Sequence, residues 1–173
     1  YARDILMVGP DGLGQLRAAP AVGASAVALM LTFRPLRHNV GAKMLWAVVV
    51  FGIATIGFGL SHEIGTHVFG DARIGFLNIG AGMAVALVML VVLGASDMLS
   101  VYVRSSLVQL NTPDEMRGRV SSVSGLAISA SNELGELQSG VAAAALGPVG
   151  AVVFGGFGAI FVTAIWAGLF PEL

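Results

Sequence analysis

Five apolar runs, each about as long as a helix that crosses a bilayer, dominate the chain and leave it few other ways to fold. Such a helix needs about 20 mainly apolar residues, because the hydrocarbon is about 30 Å thick and each residue adds about 1.5 Å. The runs cover about 12–33, 44–60, 76–102, 120–146 and 149–170, and only the turn Gly147-Pro148 separates the last two. Asp11 stands where it would cap the first. Inside lipid every backbone N–H and C=O must be satisfied within its own segment. The expected fold class is therefore all-α: a polytopic membrane helix bundle with five transmembrane helices. Composition agrees, since 11% of residues are charged and mean hydropathy is +0.87, where a soluble domain carries about 25% charge.

The few charges define partners and topology. Nine basic residues against ten acidic ones give a net charge of -1, and no Lys/Arg cluster on the scale of a phosphate-tracking surface is present, so nucleic acid is not an expected partner. Without cysteine there is no disulfide, thiolate metal site or cysteine nucleophile. Arg34, Arg37 and Lys43 lie in one short connection and Arg104, Arg117 and Arg119 in another. On the alternate side Arg3, Arg17 and Arg73 are offset by Asp4, Asp11, Glu63 and Asp71. Basic residues in short loops stay cytoplasmic, which places the N-terminus outside and the C-terminus inside. Trp46 and Tyr102 fall at inner span ends, where interfacial aromatics are favoured. The chain begins at Tyr1 without an initiator Met, and Tyr1 to Asp11 reads as an outer loop, so a segment of a longer protein is expected.

An ionisable group inside a span costs at least a few kcal/mol and is a functional candidate by default. The fourth span carries the strongest set. Helical spacing puts Ser129, Asn132, Glu133, Glu136 and Gly140 on one face, and that face must look into a cavity or onto a partner helix. Two carboxylates one turn apart in low dielectric do not easily both ionise, so at least one is expected to carry a proton near neutral pH. Such a pair can load and release a proton or meet a cation; alternatively the stripe is a polar seam satisfied by neighbouring helices. In the third span Asp97 lies two turns before Arg104 on the same face. These two, with Arg34 or Arg37, are candidates for a cytoplasmic gate or for a plain ion-pair anchor. Arg17 sits about one and a half turns into the first span, just before Pro20. It is placed either to bind an anionic substrate or to snorkel to the outer surface.

Other motifs carry little chemistry. His62-Glu63-Ile64-Gly65-Thr66-His67 is one residue too long for a zinc-protease helix, whose histidines must stand four apart to share a face. It lies in an expected outer loop. Gly155-Gly156-Phe157-Gly158 is inside a span and lacks the strand-turn-helix setting of a phosphate loop; its glycines are expected to let helices approach. All three histidines lie outside the spans, and no nucleophile motif is present. Neither an enzyme activity, a metal nor a cofactor is expected.

The run Arg104-Ser-Ser-Leu-Val-Gln109-Leu-Asn-Thr112-Pro113-Asp114-Glu115-Met-Arg117-Gly118-Arg119-Val120 resembles the cytoplasmic loop between the tenth and eleventh helices of major facilitator superfamily transporters. Ser131-Asn132-Glu133-Leu134-Gly135-Glu136 and Leu16-Arg17-Ala18-Ala19-Pro20 are similar to the bacterial, enterobactin-exporter-like branch. The resemblance covers essentially the whole chain, as helices eight to twelve of twelve, which is five helices of a C-terminal six-helix domain. One departure stands out: the connection Arg34 to Lys43 keeps basic residues and Gly41 but has no acidic residue where the superfamily's repeated loop motif has Asp. The resemblance implies a multi-pass protein of the bacterial cytoplasmic (inner) membrane. It implies a secondary active, proton-coupled exporter of small molecules, siderophore or drug-like, working by alternating access against the missing N-terminal helices of the same chain. In that scheme Glu133, Glu136 and Asn132 handle protons or substrate, Arg17 meets an anionic substrate, and Asp97, Arg104, Arg34 and Arg37 close the cytoplasmic side. The alternative is a non-transporting membrane scaffold or assembly subunit whose polar seam binds another chain.

Overall fold

The computed structural model describes residues 9–34, 36, 40–69, 73–74 and 79–169. Arg37 lies outside them, as do Arg3, Asp4, His38 and Asp71. The described residues form α1 (Pro10–Phe33), α2 (Val40–Gly59), α3 (Ser61–Phe69), α4 (Ala81–Asn111) and α5 (Arg117–Leu169). A two-residue antiparallel pair, β1 (Arg73–Ile74) with β2 (Ile79–Gly80), precedes α4, and a 3-10 turn, Asp114–Met116, precedes α5.

Four of these helical stretches are long and apolar enough to cross a membrane. The fourth contains two of the five expected spans. Gly147 (φ 75, ψ 168) breaks α5 into arms at 117–146 and 148–169, with Pro148 opening the second. That backbone region is essentially restricted to glycine, and proline tolerates the first turn of the helix that follows.

Three other expectations are corrected. Asp11 does not cap α1: Pro10 starts the helix one residue earlier with Gly9 at the cap, and Asp11 sits in the first turn. Proline's fixed φ suits that position. The segment around His62, expected as an outer loop, contains a helix, α3, in which the Thr66 hydroxyl donates to the His62 and Glu63 carbonyls. The third span starts at Ala81 rather than Phe76 and continues past Tyr102 to Asn111. Arg104, Leu107, Gln109 and Leu110 are good helix formers, so the helix persists after its apolar run ends.

α4 is the central element, packed against α1, α2 and α3, while the second arm of α5 packs on α2. The contacts fix directions. Leu16 clusters with Met83 and Ala86, whereas Val27, further along α1, shares a groove with Ala95 and Leu99, so α1 and α4 run parallel. Gly52 meets Gly156 and Ile160 while Gly59 meets Val152 and Val153, so α2 and the second arm run antiparallel. The main buried cluster joins Leu16 of α1 to Met83 and Ala86 of α4, with Phe58, Leu87 and Leu90 around it.

Small residues carry both main junctions. At Gly94 an added methyl would collide with the Pro20 carbonyl, and at Gly52 it would lie 2.9 Å from the Gly156 carbonyl oxygen. Between helices in lipid there is no hydrophobic drive to association, and close backbone approach through glycine supplies van der Waals contact instead. The buried hydroxyls of Ser96 and Thr163 are satisfied inside their own helices. Ser96 donates to the Val92 carbonyl at 2.8 Å and Thr163 to that of Ala159 at 2.7 Å. Such back-bonding needs no water.

The large apolar side chains point outward. Only 22%, 17%, 17% and 11% of the four apolar windows is buried, and Leu29, Phe33, Trp46, Phe154, Phe157 and Phe161 are exposed. A water-soluble fold does not present surfaces of that kind on every helix.

Candidate functional site

The first arm of α5 carries the candidate acidic stripe. Glu133 stands sixteen residues after Arg117 and thirteen before Leu146, which puts it near the middle of an arm about 45 Å long. Glu136 is one turn further on. At about 100° per residue, Ser129, Asn132, Glu133, Glu136 and Gly140 share one sector of the helix. A second sector beside it holds Val123, Leu126, Leu134, Leu137 and Val141, all exposed. The arm is thus two-faced along its length.

No described element covers that polar sector. Glu133, Glu136 and Asn132 are exposed and make no hydrogen bond or ion pair with any described residue. The second arm of α5 returns to α2, but the first leans away from α4 and touches it only near their shared turn. The stripe is left facing outward from the bundle at mid-depth of the apolar helices.

The opposite end of α4 holds the candidate gate residues. α1 ends, α2 begins, α4 ends and α5 begins on the same side of the bundle, because Leu36 and Val40 share a groove with Tyr102, Leu107 and Arg117. Arg34, Lys43, Arg104, Arg117 and Arg119 gather there, while Asp11, Arg17 and Glu63 lie at the other end. Asp97 and Arg104 are both exposed and do not form an ion pair with one another. Arg34 is exposed and also unpaired among the described residues. Arg17 is exposed beside buried Leu16 and meets no described carboxylate. The structure therefore groups Arg34 and Arg104 at one end, and it keeps Arg17, Glu133 and Glu136 apart from them.

One tie escaped the sequence reading. Arg117 Nη1 lies 2.8 Å from Asp114 Oδ1, and Arg117 Nε donates to the Thr112 carbonyl at 3.3 Å. Asn111 and Thr112 bond back to the Leu107 and Val108 carbonyls, and the Met116 amide donates to the Pro113 carbonyl. The chain is thereby turned between α4 and α5. The Asp-x-x-Arg spacing across a 3-10 turn was the available signal. His62 and His67 stand five apart on α3, about 140° around a helix, and do not converge.

Fold and surface define an α-helical membrane protein. No protein family, curated protein or solved structure matches the chain.

Proposed function

We propose that this chain forms helices eight to twelve of a major facilitator superfamily transporter, a proton-coupled exporter of small molecules rather than an enzyme. The observation that carries the reading is the position of Glu133 and Glu136. Both sit at mid-depth on a membrane-spanning arm, with no partner among the described residues and with an apolar sector beside them. Carboxylates in that position need water, a proton or a partner. In an alternating-access protein two helical halves rock about a midplane site, and the polar sector of this arm would line the pathway between them. Glu133 or Glu136 then takes a proton from the outside and releases it to the inside, while Asn132 hydrogen-bonds substrate. Arg17 attracts an anionic substrate at the outer end. Asp97, Arg104, Arg34 and Arg37 close the inner end, with the basic end of the bundle cytoplasmic.

The test is proton-driven efflux by the full-length protein carrying Glu133→Gln or Glu136→Gln. Loss of coupled efflux in at least one variant, with normal membrane insertion, is expected. Wild-type efflux in both removes the pair from the mechanism. The exposed stripe also fits a scaffold whose acidic face docks on another subunit. That reading predicts no flux and a stoichiometric partner lost on Glu133→Gln.

A further inference from the structure

We infer that the groove between the end of α4 and the start of α5 binds the phosphate headgroup of an anionic phospholipid. The two helices splay from their turn and leave an open groove of about 400 Å³. Arg104, Ser105 and Gln109 line it from α4, and Ser121 and Ser124 from α5. Every one of these side chains can donate a hydrogen bond, and no carboxylate lines the groove. The three serine hydroxyls are not used in any hydrogen bond among the described residues, and Arg104 has no ion-pair partner there. Of the two carboxylates in the connecting turn, Asp114 and Glu115, the first is held by Arg117 and neither lines the groove.

Depth selects a lipid over a free anion. Arg104 lies 23 residues after Ala81, about 35 Å along α4, just beyond a hydrocarbon layer about 30 Å thick. That is headgroup level. Ile128 lines the groove from further along the first arm, on the membrane side, so an acyl chain can run down from the phosphate against apolar surface. Basic pockets between helices at this level hold anionic headgroups by charge-assisted bonds to phosphate. The inference does not depend on the transport reading.

Native mass spectrometry of the full-length protein in mild detergent tests it, with phosphatidylglycerol, phosphatidylcholine of the same acyl chains, and inorganic phosphate as probes. Phosphatidylglycerol is expected to be retained several-fold over phosphatidylcholine. Arg104→Ala should bring it to the phosphatidylcholine level, Ser121→Ala with Ser124→Ala should lower it partly, and Lys43→Ala should leave it unchanged. Equal loss in Lys43→Ala and Arg104→Ala would mean diffuse attraction to the basic end and overturn the site. So would displacement by millimolar inorganic phosphate, which would mark a free-anion site, or undiminished retention in Arg104→Ala. Unchanged phosphatidylcholine retention in Arg104→Ala is the check that the variant is folded.

Discussion

Gly94 and Gly158 are both glycines in apolar helices, yet substitution at each should have opposite effects. At Gly94 an added methyl runs into the Pro20 backbone, and neither helix can yield without separating. Gly94→Ala should lower the stability of the bundle by about 1–3 kcal/mol, the usual range for overpacking. Gly158 has open space around it, and Gly158→Ala should be neutral or stabilising by up to about 1 kcal/mol. Thermal unfolding of both variants in detergent checks the pair. Composition shows only that glycine is abundant. Which glycines are contact points was not legible, because that depends on which helices pair, and five similar apolar runs do not specify their neighbours. The acidic stripe was legible because a carboxylate within an apolar run is conspicuous at any register. What lies opposite it was not, since the described residues place nothing there.

At the scale of the element, the apolar runs located the helices well and their ends poorly. A run of apolar residues ends where the hydrocarbon ends, whereas a helix ends where its hydrogen bonding is interrupted. α4 continues from Tyr102 to Asn111 for that reason, and Pro113 then stops it. The turn Gly147-Pro148 was readable because both residues break helices by known means. It also makes the sharpest prediction for an element. Gly147→Ala must hold an L-residue at φ 75, ψ 168, at a cost of about 1–3 kcal/mol. The expected result is lower stability or a straightened α5 whose second arm releases α2. Crosslinking between cysteines replacing Ile56 and Val153, which line the same junction, should then fall well below that in a background with Gly147 intact. α3 was missed because its histidines, glutamate and glycine read as a polar loop, although Gly65 packs against Ala81 and Gly82. That contact belongs to the tertiary structure and leaves no periodic trace.

Across the whole molecule, charge is distributed by end. Five of the described cations gather where α1 and α4 finish, and the opposite end has Asp11 and Glu63 with Arg17. If this basic end is cytoplasmic, as the positive-inside bias predicts, a cysteine at position 43 should be labelled by an impermeant reagent only after the membrane is opened. A cysteine at position 63 should be labelled from outside intact cells. The reverse pattern would invert the topology and with it the assignment of the gate.

The bundle also presents a transmembrane arm whose polar sector no described residue covers, and the transport reading rests on what that sector meets in the membrane. These 173 residues contain no cysteine, so single cysteines along the arm report it once any cysteine elsewhere in the protein has been replaced. In the full-length protein in native membranes, cysteines at positions 133 and 136 should react with a water-soluble maleimide. Cysteines at 134 and 141, on the apolar sector, should stay protected. Protection at all four positions, or equal reaction at all four, would contradict a water-lined pathway along Glu133 and Glu136.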